Sequence, residues 1–153
     1  MKKKLQVFIS STYTDLLPER QAAVEAILRA GHIPAGMELF AAGDKSQMEI
    51  IKRWIDDSDV FLLILGGRYG SIEPESGKSY VHIEYEYAVP RNKACFAYVI
   101  KDDELERRGQ QDYEKFRETQ NRAKLEEFRR TLMNGKLVDL WSNADQLKYS
   151  INV

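Results

Sequence analysis

Residues 77–89, GKSYVHIEYEYAV, carry two glutamates, Glu84 and Glu86, on a short aromatic-rich stretch. A carboxylate can stabilise developing positive charge, trap it covalently or move a proton, depending on which of its forms the surroundings favour. With Ser79 as N-cap and a helix opening at Tyr80, Ile83 and Tyr87 share one face and are expected to pack on a sheet. Glu84 and Ala88 form the adjacent stripe, and Ala88 is too small to cover the carboxylate one turn before it. Glu84 is therefore expected to face a hollow. Near a helix N-terminus its ionised form is favoured by about 0.3–1 kcal/mol, which suits a charge stabiliser or nucleophile better than a general acid. Glu86 reads as part of a solvated face.

Two further segments carry groups that bind anions. Ser10, Ser11, Thr12, Tyr13 and Thr14 follow an apolar run and offer hydroxyls and backbone N–H groups at the start of a helix, a natural seat for phosphate. The plainer reading is that they cap that helix. Gly66, Gly67, Arg68 and Tyr69, followed by Gly70 and Ser71, allow close backbone approach, and Arg68 can fork onto phosphate or carboxylate. Here the plainer reading is a tight turn with Arg68 paired to a nearby acid. The sequence contains no GxxxxGK[ST] and no GxGxxG. His32 and His82 are far apart, no metal-ligand cluster is spaced along the chain, and Cys95 falls inside a strand.

These segments hang on a regular alternation of elements. LQVFIS is a strand. The helix after it places Leu16, Ala23, Ile27 and Ala30 at helical spacing, with Thr14 or Asp15 as N-cap, Pro18 in its first turn and Gly31 at its C-terminus. HIPAGMEL reads as a second short strand and an irregular loop. SQMEIIKRWIDDSD has Met48, Ile51, Trp54 and Ile55 on one face, with Ser46 as a cap. VFLLILGG is apolar throughout, the pattern of a strand buried on both faces of a parallel sheet. The helix that opens at Tyr80 is stopped by Pro90, and ACFAYVI is the fourth strand. From residue 101 to 134 alternating charge dominates; a sparse seam of Tyr113, Phe116, Gln120, Phe128 and Leu132 predicts one long exposed helix from about Asp112, closed at Asn134 and Gly135. KLVDLW is a fifth strand, and a last helix starts at Asn143. Five strand–helix alternations predict a three-layer α/β sandwich, flavodoxin-like with a five-stranded parallel sheet, whose ligands bind beyond the carboxyl ends of the strands.

With 23 basic and 24 acidic side chains in 153 residues, no basic face points to nucleic acid or to a membrane surface as partner. No stretch reaches the roughly 18 apolar residues of a membrane helix. A single cysteine forms no intrachain disulfide, and the expected compartment is the cytoplasm.

The phrases VFISSTYTDLLPER, GHIPAGMELFAAGDKS, SDVFLLILGGRYGS and KSYVHIEYEYAV together resemble a bacterial family known as domain of unknown function 4062, over about residues 5–100 and more weakly through KLVDLW. Members of that family usually form the N-terminal module of larger proteins. Together with the abrupt finish of the last helix, this implies a single domain over residues 1–153 at the N-terminal end of a longer protein. A more distant resemblance is to the superfamily that joins Toll/interleukin-receptor (TIR) domains with nucleoside 2-deoxyribosyltransferases. Ser58 and Asp59 precede a buried strand as in the transferases, and residues 84–88, EYEYA, occupy the place of the phrase that carries their nucleophilic glutamate, with Glu86 standing where they have glycine. The enzymatic TIR domains carry a serine and then a glutamate needed to cleave the nicotinamide glycosidic bond of NAD; Ser79 and Glu84 fit that order.

The resemblance implies a TIR-like module of a larger signalling or defence protein that binds a nucleotide or a protein partner. The alternative is an NAD or nucleoside N-glycosidase with Glu84 and Ser79 as its catalytic pair. Ser10, Ser11, Thr12, Gly66, Gly67, Arg68 and Tyr69 would hold the nucleotide, with NAD or another nucleotide as ligand or substrate. Self-association would use the long helix and the loop at residues 36–46.

Overall fold

The structure is a computed structural model that describes residues 3–36 and 46–151, the second stretch with side chains from residue 48. Five strands, β1 (Gln6–Ser10), β2 (Ile33–Gly36), β3 (Val60–Leu65), β4 (Ala94–Ile100) and β5 (Val138–Trp141), form one sheet in the order β2-β1-β3-β4-β5. All four pairings are parallel. This is the flavodoxin-like order, in which the direction of winding switches between β1 and β3.

The sheet is covered on both faces. Val7, Ile9, Val60, Leu62, Ile64 and Trp141 face α1 (Leu17–Arg29) and α7 (Ala144–Ser150). Phe8, Phe61, Leu63 and Val99 face α2 (Ser46–Asp57), α3 (Tyr80–Ala88) and α6 (Arg122–Met133). The alternation along β1 and β3 is the period of two that sends neighbouring side chains to opposite faces. All six residues of β3 are buried, as its unbroken apolar run predicts. Burying each of its large side chains contributes roughly 1.5–3 kcal/mol.

Helix boundaries follow local signals closely in the first two thirds of the chain. Gly31 has φ +84° just beyond α1, a conformation that disfavours any side chain. Ser79 Oγ accepts from His82 N at 3.1 Å and caps α3 as expected, and Asn143 does the same for α7. One of these expectations is corrected. The N-cap of α1 is Leu16, without a side-chain bond, because the Asp15 carboxylate is turned inward and Thr14 lies outside the first turn. The expected Ser46 cap falls outside the described side chains.

The long charged helix is also corrected. Residues 101–134 form α4 (Asp102–Gln111), the single turn α5 (Tyr113–Phe116) and α6. Asp112 and Arg117 both adopt extended backbone between them. The break has a tertiary cause: Glu118 N donates to Gly67 O at 2.7 Å, which draws the chain down onto the loop after β3. Three acidic residues, Asp102, Asp103 and Glu104, occupy the first turn of α4, where the helix dipole favours them.

Candidate functional site

Strand β1 stops at Ser10, paired with Leu63, while β3 runs on to Leu65, which places Ser10 at the carboxyl end of β1 at the switch point. Ser10 follows Phe8 on the face toward α3, and its Oγ donates to Glu84 Oε1 at 2.8 Å. Glu84 is only 6% exposed and Ser10 1%. Burial pushes the Glu84 carboxyl up to about 7, against the opposing pull of the Ser10 hydrogen bond and the nearby Arg20 guanidinium. This revises two expectations. The buried stripe of α3 is Val81, Glu84 and Ala88, whereas Ile83 and Tyr87 are only half-buried. The carboxyl is held near the midpoint between its acid and its ionised form, because loss of water outweighs the helix dipole. A group in that state can give or take a proton at neutral pH.

Beneath the next turn lies a second set of buried polar groups. Arg20 Nη1 donates to Ser11 Oγ at 2.8 Å, and the Ser11 hydroxyl in turn donates to Thr12 O. Glu19, with 2% of its side chain exposed, is bridged by Arg108 of α4 at 3.1 Å, and Arg108 also holds Glu104 at 2.7 Å. The Glu104 carboxyl is lowered to about 2 by its bonds to Arg107 and Arg108. Asp15 is buried; desolvation raises its carboxyl, while the Thr12 hydroxyl and the charge of Arg68 pull it down. Thr12 Oγ1 is near enough to Asp15 to lower its carboxyl, yet among the described residues it is a buried hydroxyl with no partner in hydrogen-bond geometry.

The loop after β3 packs against this set. A Cβ on Gly66 would lie 3.0 Å from Leu16 Cδ2, and one on Gly67 would lie 2.1 Å from the Phe116 carbonyl oxygen. Gly67 thus needs glycine for packing, whereas at Gly66 the Leu16 side chain would have to give way. Positive φ belongs to Gly70 instead, at +101°. Arg68 donates to Glu114 O at 3.1 Å at the surface, and its charge reaches Asp15 but not Glu84. Tyr69 is buried, its hydroxyl 2.7 Å from His82 Nδ1 and its N–H bonded to Glu118 Oε1 at 2.8 Å. Partial burial pushes the His82 imidazole down, with Glu86 and Lys78 on its open side. Glu86 is exposed and bridged to Lys78, the solvated carboxylate expected.

The structure therefore joins Ser10 to Glu84 directly, while Ser11 meets Arg20, and Thr12 and Gly66 lie against Asp15 and Leu16. Arg68 and Tyr69 point elsewhere, and the Ser79 hydroxyl serves the cap of α3. Ser58 and Asp59 lie at the opposite end of β3, where both bind Gln6. Sequence reasoning missed Asp15, Glu19, Arg20, Arg108 and Glu118. A signal existed for Arg20: it sits on the Leu16, Ala23, Ile27 stripe at helical spacing, and a charge on such a stripe is a buried charge with a partner. Glu118 carried no such signal.

The fold defines an α/β domain in which the buried pair Ser10 and Glu84 meets at the β1/β3 switch point. The sequence profile described as a domain of unknown function (DUF4062) matches residues 6–153, and the chain belongs to that family. No curated protein matches it. Among the described residues, no helix is long and apolar enough to cross a membrane.

Proposed function

We propose that this domain binds a nucleotide in the crevice above β1 and β3, as a cytoplasmic TIR-like module of a larger signalling or defence protein. The observation that carries this reading is the pairing of Ser10 with Glu84 at the switch point, where doubly wound sheets bind their ligands. Thr12 supports it, since its buried hydroxyl has a hydrogen-bonding capacity that a ligand can use. Ligand that binds only the folded chain raises the melting temperature. A nucleotide panel that includes NAD should raise the melting temperature of the wild type and fail to do so for Ser10→Ala and Thr12→Val. No shift with any nucleotide, or equal shifts in the variants, removes this reading.

A second reading is favoured by the state of Glu84 itself. A carboxyl near its midpoint at neutral pH, fixed by a serine hydroxyl, suits N-glycosidic cleavage, in which positive charge develops at the anomeric carbon as the base departs. This is the chemistry to which the resemblance to TIR domains and deoxyribosyltransferases points. Glu84 in its ionised form would stabilise or trap the ribosyl cation, and Ser79 would act by capping and orienting α3. Free base released from NAD or a nucleoside by the wild type, and lost in Glu84→Gln, supports this reading. Turnover retained in that variant eliminates it.

A further inference from the structure

On the other side of the 66–69 loop lies a cleft of about 300 Å³ between α4, α5 and α6. This is at the lower end of the roughly 300–1,000 Å³ typical of small-molecule sites. Its floor includes Gly66 and Gly67, and Leu105 and Leu125 give it apolar walls. Three arginines and three carboxylates line it, so the formal charge balances and what matters is which groups are already engaged. Arg129 is paired with Asp102 at 3.0 Å. Glu118 is not free either: its Oε1 accepts from Tyr69 N and its Oε2 from Asn121 N.

Arg117 and Arg122 remain. Both reach the ring of Tyr113, which is 42% exposed: the Arg117 guanidinium stands 5.6 Å from the ring centroid, and Arg122 Nη2 donates to the hydroxyl at 3.0 Å. Among the described residues neither guanidinium has a carboxylate partner. Arg117 is further fixed by packing its stem on Gly109, where a Cβ would meet Arg117 Cγ at 3.1 Å. Guanidinium forks match phosphate oxygens, and two of them converging on one ring form a preset anion clamp. Glu126 is the one carboxylate of the lining with no partner among the described residues, and it favours a ligand that also carries hydroxyls.

We infer that this cleft is a second small-molecule site, separate from the β1/β3 crevice, that takes a phosphorylated ligand through Arg117 and Arg122. The apolar walls accept a ring or sugar edge, and the clamp accepts the phosphate. Phosphate positions this ligand by charge, so its affinity falls as salt rises.

The test is calorimetric titration of the 153-residue chain with inorganic pyrophosphate and with AMP. Binding is expected in the wild type and should weaken by about tenfold or more in Arg117→Gln/Arg122→Gln, the loss expected when charge-assisted phosphate bonds are removed. Pyrophosphate binding should persist in Ser10→Ala, which disturbs the other region. Amide shifts of the wild type give the same answer without a variant: Arg117, Arg122 and Tyr113 should move on adding pyrophosphate, and Ser10 and Thr12 should not. No binding of either probe overturns the inference, as does equal affinity in the arginine variant. Loss in Ser10→Ala alone also overturns it, while leaving the β1/β3 reading intact.

Discussion

On the β1 side of the 66–69 loop, charged and polar side chains are buried and engaged with one another: Glu84 with Ser10, Arg20 with Ser11, Glu19 with Arg108. On the α4–α6 side, the guanidinium groups of Arg117 and Arg122 meet the exposed ring of Tyr113 and have no carboxylate partner among the described residues. The same residue types do different work in the two places. A buried charge must be satisfied inside the fold or its carboxyl drifts toward neutrality, as Glu84 does. An exposed guanidinium needs no internal partner and remains available to a ligand. The first region is expected to respond to substitution in stability, and the second in binding.

The largest effect should come from Arg108→Leu, which leaves Glu19 buried without its cation. Breaking a buried pair from one side costs about 3–5 kcal/mol, readable as a drop in the urea midpoint. If the loss is no greater than that for an exposed pair such as Lys78 and Glu86, the contrast between the two regions fails.

Glu84 gives the next largest effect, and it depends on pH. Its folded carboxyl titrates near 7 against an ordinary value of 4.5, so the folded chain holds this proton more tightly than the unfolded chain. The contribution of Glu84 to stability is therefore most favourable below about pH 4.5, declines as pH rises toward 7, and is flat above that. The whole change is about 3 kcal/mol, from 1.36 kcal/mol per pKa unit. Glu84→Gln removes this titration and keeps an acceptor for Ser10. The variant should equal the wild type in acid and exceed it in stability at pH 8; a stability difference that does not vary with pH removes the buried-acid assignment.

Glu118→Ala should cost about 1–3 kcal/mol, because the buried Tyr69 N–H loses its acceptor. It also sharpens the comparison, since Glu118 anchors the wall between the two regions and its loss should weaken pyrophosphate binding as well as stability. Ser79→Ala, which removes the cap of α3, should cost about 1 kcal/mol in thermal unfolding.

Much of this organisation was legible in the chain. The alternation of strands and helices, the doubly buried β3, the fifth strand, the cap at Ser79 and the exposed Glu86 all follow from periodicity or from residue preferences within a turn or two. Glu84 could be singled out because it stands near an apolar stripe of a short helix. Its depth could not, because a rotation of one residue's angle, about 100°, exchanges the burial of Ile83 for that of Glu84, and the sheet decides that angle. Residues 101–134 misled because their charge pattern suits a continuous helix. What interrupts it is a bond between Glu118 and Gly67, residues that no local pattern relates.

The sequence by itself determined the parallel α/β architecture and the short list of loops from which a site could be built, because hydrophobic period and helix caps act over a few residues. Tertiary structure decided which of those groups meet. Ser10 and Glu84 are 74 residues apart, and Tyr69 and Glu118 are 49 apart. The protonation of the carboxyl and the contact of Glu118 with the 66–69 loop both arise from desolvation and hydrogen bonding across those distances, which exist only once the sheet has closed over them.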